Sequence, residues 1–155
     1  MRKLVLGLLL SVLSTSAIAA DVVVDMWTLD PSTQERNSFN PGVVMIDKGD
    51  TIVWKAQQPG HNVEFLPGAV PEGVDKFRSG FDKEIRYTFD TPGVYAYKCM
   101  PHYGLGMIGF VVVGADASNL EAVKAFKFQG MSAGRAKELL AHLDGMMAER
   151  FAAKE

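Results

Sequence analysis

Between Asp21 and Gly114 short apolar runs are broken by Gly, Pro or Asp about every ten residues, a spacing that admits short strands and leaves no room for long helices. The runs are Val22 to Leu29, Val43 to Ile46, Thr51 to Lys55, His61 to Phe65, Ile85 to Phe89, Val94 to Lys98 and Ile108 to Val113. Turn signals separate them at Pro41-Gly42, Lys48-Gly49-Asp50, Pro59-Gly60, Pro67-Gly68 and Thr91-Pro92-Gly93. Ile85, Tyr87 and Phe89 alternate with Arg86 and Thr88, which predicts one buried and one wet face. Phe110 to Val113 is apolar without a break and reads as a central strand covered on both sides. Leu66 to Asp82 is mixed and reads as an irregular crossover with one helical turn. The pattern as a whole predicts an all-β sandwich or barrel.

After Gly114 the period lengthens. Ser118-Asn119-Leu120-Glu121 has capping-box spacing, and Leu120, Val123 and Phe126 or Lys127 follow at helical intervals. Gly130 ends that segment, and Ser132 is placed to cap a second helix. Its apolar stripe is Ala136, Leu139, Leu140, Leu143, Met146, Met147 and Phe151. The opposite face mixes Arg135, Lys137, Glu138, Asp144 and Glu149, so the helix is expected to pack on the sandwich rather than enter a membrane.

The chain opens with Met1-Arg2-Lys3, an apolar run from Leu4 to Leu13 and mostly small residues from Ser14 to Ala20. Residues 1–20 therefore read as a secretory signal peptide cleaved after Ala19 or Ala20, too short to span a membrane. Residues 21–114 form the predicted sandwich and residues 115–155 a helical appendage on the same domain. Sixteen Lys and Arg against 18 Asp and Glu give a formal charge of −2, and loss of Arg2 and Lys3 makes it 14 − 18 = −4. Such a balance argues against nucleic acid as a partner and leaves docking to local patches.

One cysteine cannot close an internal disulfide, and a lone thiol in an exported chain needs protection by burial or by a metal. Cys99 lies in Tyr97-Lys98-Cys99-Met100-Pro101-His102-Tyr103-Gly104-Leu105-Gly106-Met107, between two predicted strands. Thiolate, imidazole and thioether in Cys-x2-His-x4-Met spacing lack one imidazole of the His2Cys set with a weak axial Met that marks a blue copper site. Of His61, His102 and His142, only His61 lies in a turn of the kind that can face this loop. Taken singly, His61 reads as a turn residue, Met107 as core filler and Cys99 as a buried small residue. Zinc fits less well, because a thioether is a poor donor to it. His142 falls on the second predicted helix, Met146 and Met147 in its core, Met26 and Met45 in strands, and Met100 is expected to point away from the metal.

At these residues the chain resembles the cupredoxins, and among them the pseudoazurin family. The segments that carry the likeness are Gly49-Asp50-Thr51, Gly60-His61-Asn62-Val63-Glu64, Pro71-Glu72-Gly73-Val74-Asp75-Lys76-Phe77, Pro92-Gly93-Val94-Tyr95, the Cys99 loop and the two C-terminal helices. The resemblance implies a Greek-key sandwich of about eight strands with two C-terminal α-helices, and one copper ion held by His61, Cys99, His102 and Met107. It makes Asn62 the residue that ties the two ligand turns together and donates its backbone N–H to the thiolate. Departures fall at Leu29 to Ser38, which is longer, at Asn37, which is polar where a methionine is common, and at Pro59 and Asp30, near places where lysines ring the copper edge. Lys55, Lys76, Arg78 and Lys98 remain there.

The function expected from residues and resemblance together is single-electron shuttling in the periplasm, with no enzymatic activity. His102 is the exposed edge, Pro59, Pro101, Tyr103 and Leu105 form a docking patch, and the chain is a monomer. The resemblance implies transient redox partners such as copper nitrite reductase or a c-type cytochrome in denitrification. A periplasmic copper carrier without redox cycling and a metal-free adhesion-type sandwich are the competing readings. Carriers favour exposed Met-rich or His-rich tracts, and the sequence has none.

Overall fold

The structure is a computed structural model in which residues 19–152 are described. The signal-peptide assignment therefore lies outside the described residues except at Ala19 and Ala20. Eight strands follow in chain order: β1 Asp21–Leu29, β2 Arg36–Asn40, β3 Val43–Ile46, β4 Thr51–Ala56, β5 Glu64–Phe65, β6 Ile85–Thr88, β7 Gly93–Lys98 and β8 Ile108–Val113. They build two four-stranded sheets, ordered β2-β1-β4-β6 and β3-β8-β7-β5. The chain changes sheets at the cis Asn40-Pro41 bond, and each sheet contains one parallel pair, β1 with β4 and β3 with β8.

Side-chain alternation in β7 and β8 explains why these strands are apolar throughout. Tyr95, Tyr97 and Cys99 face the interior between the sheets, with Val111 and Val113 beside them. Val94, Ala96, Ile108, Phe110 and Val112 face outward into a second apolar cluster. That cluster is closed by helices α1 Leu120–Ala125 and α2 Ser132–Ala152, through Val123, Ala136, Leu139, Leu143 and Met147. Between the sheets Trp54 meets Tyr97 edge-on at 5.4 Å, and Phe65, Phe77, Tyr87, Phe89 and Tyr95 continue the aromatic packing. Burying a side chain of this size is worth roughly 1.5–3 kcal/mol. Gly109 sits opposite Tyr97 in the β7–β8 register, and a Cβ there would come within 2.5 Å of the ring, so only glycine lets the tyrosine lie flat in the core.

Several sequence expectations are corrected. β2 falls in a stretch where the sequence marked no strand: Arg36 and Asn37 open it with polar side chains on both faces, which hid it, while Ser38 and Phe39 are buried. The run from His61 to Phe65 is strand only at Glu64–Phe65, since the backbone of residues 60–63 bonds to Asp82 and Ser79 instead of to a sheet. No helical turn forms between Leu66 and Asp82. Its final part runs beside β5, with Phe65 N–H donating to Phe77 O at 3.0 Å and Ser79 N–H to Val63 O at 2.9 Å. The capping box does not form either. Asn119 stands at the N-cap of α1 with no capping bond of its own; it spends both amide atoms on Val94, accepting from its N–H at 2.8 Å and donating to its C=O at 2.7 Å. Ser132 likewise donates outward, to Tyr103 O, and not into α2.

Candidate metal centre

The site lies at one end of the interior, where β7 runs out. β7 is followed by a 3-10 helix at Met100–Leu105, with Cys99 at its N-cap. Side chains three apart in a 3-10 helix eclipse one another, so the Cys-x2-His spacing stacks His102 over Cys99, with Nδ1 3.5 Å from Sγ. The turn closes through His102 N–H to Cys99 O (3.2 Å), Met107 N–H to His102 O (3.1 Å) and Cys99 N–H to Met107 O (3.0 Å). Met107 is thereby bonded to Cys99 through the backbone, and its side chain is completely buried.

His61 arrives from the β4–β5 connection. Asp82 Oδ1 accepts the N–H groups of Gly60 (2.6 Å) and His61 (3.0 Å), and Asp82 N–H donates to His61 O (3.0 Å). These bonds hold the turn so that His61 Nδ1 lies 3.7 Å from Cys99 Sγ. The ligand atoms of His61, Cys99 and His102 all fall within 4.8 Å of one another, and the two imidazole rings are 5.0 Å apart. Metal–nitrogen bonds of about 2.1 Å and a metal–sulfur bond of about 2.3 Å, set at a trigonal angle, separate nitrogen from sulfur by ~3.8 Å. The observed spacing would let one ion be shared by two imidazoles and a thiolate, and the buried Met107, bonded to Cys99 through the backbone, would be the soft fourth donor.

Burial decides the electrostatics. It pushes the Cys99 thiol up, and the backbone N–H groups of Asn62 and His102 pull it partly back. It also lowers the His61 pKa, with His102 adding to the effect and Asp82 opposing it. Burial thus favours the uncharged forms of Cys99 and His61, and a cation bound by the thiolate would displace the thiol proton. A ligand Nδ1 leaves the ring proton on Nε2 of His61, which then donates to Thr28 Oγ1 at 3.1 Å. Asn62 joins the two turns as expected, accepting Met100 N–H on Oδ1 at 2.8 Å.

The structure brings His61, Cys99, His102 and Met107 to one end of the molecule and leaves His142 exposed on α2. Met100 is 40% exposed. The sequence assigned Thr28, Gln58 and Asp82 no part in the site, and it marked Ser132 only as a helix cap. Gln58 Oε1 binds the N–H groups of Thr28 and Leu29, at 2.7 and 3.0 Å, and so fixes the strand end that carries the His61 partner. All four act across long sequence separations, and nothing local marks these contacts. The basic residues near this end are largely neutralised: Lys98 and Arg78 each lie 3.5 Å from Glu64, and Lys55 lies 3.6 Å from Glu84.

A two-sheet sandwich with this donor set at the end of its core defines a blue copper electron-transfer protein of the cupredoxin class. A family model described as copper binding proteins, plastocyanin/azurin family, matches residues 29–114. Pseudoazurin from Methylorubrum extorquens is 36% identical over 137 residues, covering 88% of this chain and 91% of that one. The solved pseudoazurin of Hyphomicrobium denitrificans is 34% identical with a TM-score of 0.74, over 79% of this chain and 97% of its own. One from Sinorhizobium is 37% identical with a TM-score of 0.75, over 80% and 96%. The chain belongs to the pseudoazurins.

Proposed function

We propose that His61, Cys99, His102 and Met107 hold the copper ion, and that the protein carries single electrons between redox partners in the periplasm. The observation that carries this reading is the asymmetry of burial around the site. His61, Cys99 and Met107 are wholly buried, while His102 is partly exposed, so the site has one wet edge. Copper, when bound, supplies the one-electron couple. The chain supplies a frame that does not rearrange: Asp82 fixes the His61 turn, the 3-10 helix fixes His102 over Cys99, and Asn62 locks the turns to each other.

Around His102 the exposed Pro59, Pro101 and Leu105 offer a small apolar contact patch. Brief, low-area encounters suit electron transfer. Partners such as copper nitrite reductase or a c-type cytochrome, in denitrification, follow from the family, and the monomeric state from the small size of the patch. Pairing of Lys55 with Glu84, and of Arg78 and Lys98 with Glu64, weakens charge steering here.

Export is assigned to a signal peptide at residues 1–20. Ala20 N–H donates to Asp50 Oδ1 at 2.7 Å, and Asp50 is buried. Cleavage after Ala19 would place the new ammonium group of Ala20 on that carboxylate, so the exported chain is expected to begin at Ala20 by intact-mass measurement.

Adding cupric salt to the purified protein tests the assignment. The wild type should turn blue and keep its metal through repeated oxidation and reduction, and Cys99→Ser should lose the intense visible band. A colourless wild type would refute the site, and release of the ion to a chelator on each cycle would favour a carrier.

A further inference from the structure

The 3-10 helix that carries His102 has no fully buried residue, and its one apolar anchor is Tyr103, partly buried against the outer cluster. Its last carbonyl oxygens lack partners within the helix and must find them outside. They find them at the start of α2 and on the residue before it. Ser132, completely buried at the start of that helix, donates its hydroxyl to Tyr103 O, and Met131 N–H donates to Gly104 O at 3.0 Å. Gly130 makes the approach possible: its φ is +57°, and a Cβ there would lie 2.7 Å from Gly104 O. Tyr103 O also takes Gly106 N–H at 3.1 Å, so the hydroxyl of Ser132 meets the same oxygen that ends the ligand turn.

We propose that the first turn of α2 is part of the frame of the metal site, with Ser132 as a positioning residue. Its hydroxyl and the Met131 N–H hold the carbonyl oxygens of Tyr103 and Gly104, and so fix the turn that aims His102 at Cys99. The proposal rests on His102 and Cys99 being ligands. It gives the C-terminal helices a role beyond covering the outer face of the β3-β8-β7-β5 sheet: they brace the one ligand that faces solvent. Loss of the brace should let His102 swing while His61, held by Asp82 and buried, stays in place.

The test compares the full-length wild type with Ser132→Ala, Gly130→Ala and Leu143→Ala. Leu143→Ala serves as control, because Leu143 is buried three turns further along α2 and touches none of these bonds. In the metal-free proteins, amide hydrogen exchange at Gly106 and Met107 should quicken about tenfold in Ser132→Ala and Gly130→Ala, the scale of one lost buried hydrogen bond. It should stay near the wild-type rate in Leu143→Ala even though that variant melts earlier. In the cupric proteins the first two variants should release copper to a chelator about tenfold faster and show a shifted visible band. Unchanged exchange and release in both variants would overturn the proposal while leaving the copper assignment intact. Equal acceleration in Leu143→Ala would also overturn it, since global loosening would then suffice. A wild type that takes up no copper removes the copper assignment and this proposal with it.

Discussion

At Cys99 the number of hydrogen-bond donors is set by a single ring. The backbone N–H groups of Asn62 and His102 act on the sulfur, and Pro101, between Met100 and His102, has no N–H to add. A further donor would draw electron density from the thiolate and disfavour the cupric state. Pro101→Ala should therefore raise the reduction potential by some tens of millivolts, where ~59 mV is a tenfold shift of a one-electron equilibrium. Redox titration decides it, and an unchanged or lower value contradicts the argument. Tyr97 presents the opposite case. Its hydroxyl is buried with no hydrogen-bond partner among the described residues. Tyr97→Phe removes an unsatisfied group and keeps the ring against Trp54 and Phe39. Thermal melts should show stability unchanged within about 1 kcal/mol, or raised.

At the scale of elements, most strands were legible because their two faces have different fates. Alternation in Ile85 to Phe89 marked one buried face, and the unbroken Phe110 to Val113 marked a strand with a core on each side, which α1 and α2 provide. β2 was not legible, because Arg36 and Asn37 are polar and the strand is identified only by pairing with β1, as in Met26 opposite Phe39. Caps misled for a related reason. Asn119 and Ser132 have the side chains of helix caps, but each is spent on a tertiary partner that local spacing does not reveal. Asn119→Ala would leave both Val94 backbone groups without their partner and should destabilise the protein by about 1–3 kcal/mol in denaturant unfolding. Its visible spectrum should stay unchanged, because Val94 lies at the far end of β7 from Cys99.

For the whole molecule, the same burial that shapes the site sets how stability varies with pH. His61 is held neutral, with its pKa lowered mainly by burial, so the unfolded chain binds a proton that the folded metal-free chain refuses. That contribution is complete above the ordinary histidine value of about 6.5 and is lost as pH falls below it. The melting temperature of the metal-free protein should therefore fall between pH 7 and pH 5, and bound copper should raise it. Tyr95, whose hydroxyl donates to Thr91 O at 2.7 Å, acts at the other end. Burial pushes its pKa up to about 12, so its contribution is complete below about pH 10 and is lost as pH rises through 12. Alkaline unfolding followed by tyrosinate absorbance should show this as one cooperative step. Sequence alone determined the sandwich class, the two helices, and Cys99, His102 and Met107 as a chemical set, because alternation, helical period and the Cys-x2-His-x4-Met spacing are properties of contiguous residues. Tertiary structure decided that His61 faces them at ligand distance, that Asp82 and Thr28 hold it there, and that α2 reaches the copper loop through Ser132. Those contacts join residues between 21 and 38 positions apart, and only the packing of two sheets and a helix brings them together.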